Sequence, residues 1–463
     1  MKLKSAILDV PQDDIFRNDK LNRRDSVENF TQLLINVSSP LVLSVNAPWG
    51  EGKTTYLKML HANLSLSKYK SIYFSAWETD FAVDPLLAFL GEMNSGLSGF
   101  LKGDSKKSKA WAKAKEAGAH ILRRGIPIGV KIATAGLLDA DKLIEDEAAK
   151  FTEALSKDVI GAYSNNKKSI ADFKKNVAEV LKGSNGEAEK LYIFVDELDR
   201  CRPTYAIELL ERIKHLLDVE GLVFVLALDK VQLAHSVKAV YGAEFDALGY
   251  LKRFIDIEFS LPTVGMIFFI NHLFTHLELD AYFANRKAGD TVYDREHLLN
   301  TLNVLGRRMS LRGIEQLLSR IKLISLTVPS NQNFYPEFVV FMLYVKDIYS
   351  SVYFEFSKPT VGGDEVLAVL ESVISGDDDK AIWARQYIEA LIISGRMRSS
   401  KAWADGRIAN LKEIASHETV PDLKVRYAAR VLELVQYHVS YGNSVSLESI
   451  FNRIDMLSNF VFD

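Results

Sequence analysis

The sequence has little that would tie it to a specialised class. It contains one cysteine, Cys201, in 463 residues. No disulfide can form within the chain, which suits a reducing cytoplasm. It also lacks a strong charge of either sign. The net charge is −3, so nothing global demands a nucleic acid partner. A long apolar run is missing too. The longest doubtful segment is "RRGIPIGVKIATAGLLDADK" (Arg123–Lys142), whose apolar part, Gly125–Leu138, includes Lys131. As a helix that part spans about 21 Å, short of a ~30 Å hydrocarbon core. A buried or surface-amphipathic helix is expected there. The flanking basic residues leave a peripheral position at the inner membrane as the alternative. The start, "MKLKSAILDVPQDD", has too short an apolar core for a signal peptide, so a cytoplasmic protein is expected. No internal repeat is visible, and no nuclease or protease site.

What is present is ordinary globular material: 48% hydrophobic and 25% charged residues. The length favours two or three domains. Apolar spacing predicts a helix over Arg23–Asn36, starting at Asp25 or Ser26, then a buried strand at Leu41–Val45. A second strand begins at Lys70, and a helix covers Asp84–Leu97. From about Phe100 to Gly186 the composition turns Lys/Ala-rich, then acidic, as in a helical insert. Strands resume at "KLYIFVDELD" (Lys190–Asp199) and "GLVFVLALD" (Gly221–Asp229), with an amphipathic helix, Ala206–Asp218, between them. Strands alternating with helices imply a parallel sheet with both faces covered. After Pro262 the strand signal fades and helices dominate.

The stretch that carries chemistry is "NAPWGEGKTT" (Asn46–Thr55), between the first strand and the amphipathic "YLKMLHANL". A phosphate cradle needs a strand, a tight loop of converging N–H groups, and a helix N-terminus facing the anion. The motif G-x-x-x-x-G-K-[ST] supplies these. Ala47 stands at its first glycine, and Gly52, Lys53 and Thr54 fill the rest. An alanine suffices at the first position if its φ is negative. The loop candidates for nucleotide contact are Ala47, Pro48, Trp49, Gly50, Glu51, Gly52, Lys53, Thr54 and Thr55. Lys53 is the one cation placed to reach phosphate.

A triphosphate site also needs a Mg²⁺ ligand and a group that positions water. "YIFVDE" ends in Asp196 and Glu197. Asp196 is the candidate for Mg²⁺, with the Thr54 hydroxyl, and Glu197 for polarising water. Asp229 ends the next strand. It is placed either to sense a γ-phosphate or to cap the helix that "DKVQLAHSV" begins.

Together, Asn46–Thr55, "YFSAW" (Tyr73–Trp77), "FVDELDRCRP" (Phe194–Pro203), Val223–Gly242 and "YLKRFIDIEFSLP" (Tyr250–Pro262) resemble the KAP family of P-loop NTPases, a STAND-class branch of the additional-strand NTPases. The match runs over about residues 15–330, the insert excepted. In that family the first loop glycine is commonly lost. Glu197 departs from it, since a second aspartate is more usual there, and this favours hydrolysis over pure nucleotide sensing.

The resemblance implies a parallel-sheet P-loop core at 1–262 with its insert at about 100–186. It implies a helical lid at 263–328 and a helical C-terminal region at 329–463. The implied cofactors are ATP and Mg²⁺. "KLNRRDSVENF" (Lys20–Phe30) resembles the family's upstream helix near the base. "MSLRGIEQLLSRI" (Met309–Ile321) resembles its lid motif, with Arg312 as the arginine that reaches phosphate. Arg253, or its rival Arg200, is implied as a finger offered to a neighbouring subunit. Family members often carry transmembrane helices in the insert; this insert is too polar and short to span. Trp77 is expected to pack as core beneath the loop rather than touch nucleotide. Bacterial relatives often sit in phage exclusion and defence. A nucleotide-driven switch or assembly ATPase, acting as a homo-oligomer or with other defence proteins, is therefore expected. The alternatives are a weakly hydrolysing scaffold that recruits a partner enzyme, and a motor stimulated by nucleic acid. The basic cluster Arg396, Arg398, Lys401, Arg407 and Lys412 is read as a solvated linker and helix face, or as a contact for phosphate backbone or a partner's acidic face.

Overall fold

A computed structural model describes residues 10–457 apart from 12, 83, 126–158, 184–185, 217, 263–265, 287–292, 330–331, 417–421 and 441–445. Most of the Arg123–Lys142 segment and the acidic part of the insert lie outside the described residues. Two compact units account for the chain. Among the described residues, one comprises 10–19 and Arg23–Pro262; the other comprises Lys20–Asn22 and 266–457.

The first unit is α/β. Five strands, β1 (Leu41–Asn46), β2 (Lys70–Ser75), β3 (Leu191–Asp196), β4 (Leu222–Leu228) and β5 (Ile257–Ser260), form one parallel sheet in the order β2-β3-β4-β1-β5. β4 thus lies between the loop strand β1 and the acidic strand β3. β3 and β4 are buried at every position, as their continuous apolar runs predict. Alternate side chains serve opposite faces. Ile193 and Val195 join the core under α3 (Pro85–Leu101), while Tyr192 and Phe194 join that under α1 (Arg24–Asn36) and α2 (Lys53–Leu66). The insert is helical where it is described, with α4 (Ser105–Gly125) and α5 (Val159–Leu181). Trp111 and Phe173 from these two helices enter the same core as α3.

Register aligns the strand ends that matter. Asn46 pairs with Leu228, and Ser75 with Asp196. The carboxyl ends of β1, β2, β3 and β4 therefore share one edge, where open parallel sheets present their ligand sites. The helices after β3 and β4 are α6 (Pro203–Leu216) and α7 (Lys230–Tyr241), and the short α8 (Ala247–Leu251) precedes β5.

The second unit is all helical among its described residues. One apolar cluster runs from Ile270 to Leu457 and includes the strongly buried α13 (Pro336–Ile348). Its early helices are α9 (Met266–His276), α10 (Leu279–Ala284), α11 (Asp294–Leu305) and α12 (Leu311–Ser325).

The basic cluster is not one solvent face. Arg396 is 2% exposed and donates to the Pro359 and Phe356 carbonyls. Arg407 pairs with buried Glu389 at 2.7 Å, and Glu389 also accepts from Tyr427. The expected solvated face or external contact is corrected for these two arginines, which packing consumes. Arg398, Lys401 and Lys412 remain exposed. No helix among the described residues is long and apolar enough to cross a membrane.

Candidate nucleotide-binding site

The loop leaves β1 at Asn46 and ends where α2 begins at Lys53. Gly50 and Gly52 have φ of 85° and 78°, left-handed values that suit glycine and let successive N–H groups turn inward. Ala47 is not at positive φ and is buried in the core, so no glycine is needed there. Its N–H donates to the Leu228 carbonyl at 3.3 Å, which stitches the loop to β4.

Lys53 is 9% exposed. Its ammonium donates to the Ala47 carbonyl at 2.7 Å and the Pro48 carbonyl at 3.2 Å, and lies 3.8 Å from Asp199 Oδ2. Burial lowers its pKa below the usual range, against the opposing pull of Asp199, Asp229 and Asp196. The lysine is folded back on its own loop, with carboxylates gathered about it.

Asp199 is the centre of this cluster. Its Oδ2 accepts from Trp49 Nε1 at 2.6 Å and from the Asp229 N–H at 2.9 Å. The sequence reading passed over Asp199 as a site residue, although it lies in the quoted "DELDR" string. A short 3₁₀ turn, Leu198–Arg200, swings it inward from the end of β3.

Asp196 is 1% exposed. It accepts from the Tyr73 hydroxyl and from the Glu197 N–H at 2.8 Å. Burial, followed by Asp196 itself, holds the Tyr73 hydroxyl protonated far above its usual range, so it stays a donor. Glu197 sits at φ 60°, a strained value for a non-glycine residue and one that recurs at functional sites. Its carboxylate accepts from Ser75 Oγ at 3.1 Å and pairs with Arg200 at 2.8 Å. Thr54 and Thr55 are half-buried in the first turn of α2.

Asp229 caps α7: its Oδ1 accepts from the N–H groups of Val231 and Gln232. Of its two readings, the helix cap is the one with hydrogen bonds to show. Trp77 corrects an expectation. It is 51% exposed rather than core, because it follows the end of β2 in a turn, and its ring lies under the Arg200 guanidinium at 5.5 Å. Arg200 is thus engaged by its own chain. Arg253 is exposed in the turn after α8, with no side-chain partner among the described residues. Arg312 belongs to the other unit and is exposed in the first turn of α12, which Ser310 caps.

Arg23 was also missed. It is 3% exposed and donates to the carbonyls of Glu51 at 2.9 Å and Gly52 at 3.3 Å. It straps the start of α1 to the phosphate loop. Its signals were a doubled arginine before a helix start and its place in "KLNRRDSVENF", the stretch that resembles the family's upstream helix.

A parallel sheet with a glycine-turned loop, a lysine opening the next helix and an acidic strand one strand removed define a P-loop NTPase domain. The chain belongs to the KAP family: the KAP family P-loop domain matches residues 23–328. No curated protein sequence matches it. Similar solved structures include the Aeropyrum pernix ORC1 protein in complex with DNA, 14% identical over 91% of this chain and 84% of that one, with TM-score 0.30. They also include the Aeropyrum pernix ORC2 protein with ADPNP and ADP, 13% identical over 90% and 95%, TM-score 0.29. AMPPCP-bound DnaA from Aquifex aeolicus is 14% identical over 93% and 94%, TM-score 0.28. These likenesses are too loose to bear on function.

Proposed function

We propose that the chain binds ATP with Mg²⁺ at Ala47–Thr55 and hydrolyses it, as a nucleotide-driven switch or assembly ATPase in bacterial defence. The observation that carries this reading is Lys53, buried, held by loop carbonyls and ringed by Asp196, Asp199 and Asp229. Phosphate fits this cradle: the loop turns through two glycines at positive φ, and α2 points its N-terminus at the same place. Lys53 would exchange carbonyl oxygens for phosphate oxygens. The Thr54 hydroxyl and Asp196 would hold Mg²⁺, which neutralises charge on the phosphates when bound. Glu197 would orient the attacking water. The helices of 263–328 act as a lid bearing Arg312, in a homo-oligomer or with a partner protein.

A second reading has its own observation. Both carboxylate oxygens of Glu197 are engaged, by Ser75 and Arg200. A chain left in that state would hold nucleotide and turn it over slowly, as a scaffold for another effector. Turnover of the purified chain separates the two. The assay compares ATP with GTP, each with and without Mg²⁺, DNA, RNA and infected-cell extract. Mg²⁺-dependent ATP turnover supports the switch. Tight binding with no turnover under any condition supports the scaffold, and absence of binding sinks both. Turnover that rises only with DNA or RNA would point to a nucleic-acid motor instead.

A further inference from the structure

Lys322, on α12 of the helical unit, is 6% exposed. Its ammonium makes one long hydrogen bond, 3.4 Å to the Glu278 carbonyl, and pairs with no carboxylate among the described residues. An ammonium has three donors. Burying it with most of them unmatched is strongly unfavourable, so such groups normally have a counter-charge.

Lys322 lines a cavity of about 550 Å³, within the usual size range for small-molecule sites. Arg286 and Tyr282 line it too. The Arg286 side chain is 1% exposed, and its Nε is 3.0 Å from Asp294. Its other nitrogens donate to the Tyr282 hydroxyl and the Gln332 carbonyl, so the guanidinium is fixed in place with Asp294 as its counter-charge, and Lys322 is the cation of the cavity without one among the described residues. Exposed Glu278 and Asn285 stand at the mouth. The Asn285 amide nitrogen is spent on the Ala281 carbonyl, which leaves its oxygen as an acceptor. Glu278 has φ 56°, a strained value for this residue, and it is its carbonyl that Lys322 reaches. The unpaired Lys322 ammonium lies within beside the Arg286–Asp294 pair, and acceptors stand at the rim.

We infer that this cavity binds a small phosphorylated polyol or sugar, with the phosphate on Lys322 against Arg286 and the hydroxyls toward Glu278 and Asn285. The site is separate from the nucleotide loop and does not rest on the reading of that loop. Lys322 is ten residues after Arg312 on one helix, about 15 Å along its axis, which gives occupancy a rigid route to that arginine.

The test uses the full chain carrying Lys53→Ala, so that the nucleotide loop does not answer. Ribose 5-phosphate, inorganic phosphate and succinate are titrated at matched ionic strength, by calorimetry and thermal shift. Ribose 5-phosphate is expected to bind saturably and more tightly than phosphate, and succinate not at all. Lys322→Met is expected to weaken binding by ~10-fold or more. If that variant does not fold, Asn285→Asp, an exposed change that places a second carboxylate at the mouth, is expected to weaken it likewise. Unchanged affinity in either folded variant overturns the site, as does the absence of saturable binding. Succinate binding as well as ribose 5-phosphate overturns the phosphate assignment. The ATP-induced shift of the unmutated chain reads the nucleotide loop independently.

Discussion

Trp49 Nε1 donates a 2.6 Å hydrogen bond to Asp199 Oδ2, the same oxygen that lies 3.8 Å from the Lys53 ammonium. One carboxylate oxygen therefore ties the loop's exposed indole to its buried cation. When Lys53 turns to a phosphate, the charge facing Asp199 moves, and the indole on the same oxygen feels it. ATP is expected to change the intrinsic fluorescence of the chain, and Trp49→Phe to remove that change. The chain has five tryptophans, so a change of equal size in Trp49→Phe would assign the signal elsewhere and defeat the coupling.

Lys53→Ala is expected to abolish nucleotide binding. Lys53 is the one loop cation, and its ammonium is held by the Ala47 and Pro48 carbonyls beside Asp199. The ATP-induced thermal shift of the parent should vanish in the variant. A shift of undiminished size would remove the phosphate-loop assignment.

Glu197→Gln is expected to bind ATP and to lose turnover by ~10²-fold or more, since general bases contribute on that order. Arg200→Ala has an opposite expected sign. Arg200 holds Glu197 at 2.8 Å while resting on Trp77, so removing it frees the carboxylate and basal turnover should rise. A fall in turnover would show that Arg200 serves the reaction itself, as the sequence had suggested for a finger.

Much of this site was legible because its chemistry is local in sequence. The lysine, the glycines and the acidic end of β3 each follow an apolar strand, and period and spacing locate them. Arg23 and Asp199 were not legible in the same way. Arg23 meets the loop 28 and 29 residues on, and Asp199 meets Trp49 150 residues away; only the folded sheet brings them there. Trp77 was misread for a related reason. An aromatic just past a strand looks like core, but the turn after Ser75 carries it outward onto Arg200. In the tail, a basic run looked like a solvent face because sequence does not reveal that Glu389 is buried beside Arg407.

The helical unit carries a pH dependence. Burial, then Glu337, pushes the Asp294 carboxyl up to about 7 from its ordinary 3.8, against Arg286. Burial lowers the His297 pKa, but Glu337 at 3.6 Å, with Asp294 and Glu296, outweighs it and leaves it raised above 6.5. Both groups hold protons more tightly when folded. Between its two values Asp294 makes stability fall as pH rises. The His297 contribution is full below 6.5 and is lost as pH rises through its folded value. His297→Gln leaves buried Glu337 without its cation and should cost about 1–3 kcal/mol in mildly acidic buffer. The midpoint difference between parent and variant should shrink as pH is raised through neutrality. A difference constant with pH would show that His297 acts only by packing against Trp383 and Tyr387.

Arg253 is expected to complete the nucleotide site of a neighbouring copy. Arg200, its rival, is engaged by Glu197 and Trp77 of its own chain. Arg253 has no such engagement among the described residues: it is exposed in the turn before β5, and its backbone N–H donates to the Tyr250 carbonyl. A cation supplied in trans to a γ-phosphate is worth ~10³–10⁵ in rate, so Arg253→Ala alone should be nearly inactive while still binding ATP. The decisive measurement mixes two dead chains. A Glu197→Gln chain has its arginine but no water-positioning group, and an Arg253→Ala chain has the reverse. If the arginine works in trans, mixed assemblies hold sites with an intact Glu197 facing an intact Arg253, and part of the lost turnover returns. If it works within its own chain, no mixture contains a complete site, and activity stays at the sum of the two. Specific activity of the unmutated protein should also rise with its concentration. A strictly monomeric chain, fully active at every concentration, would end the trans assignment.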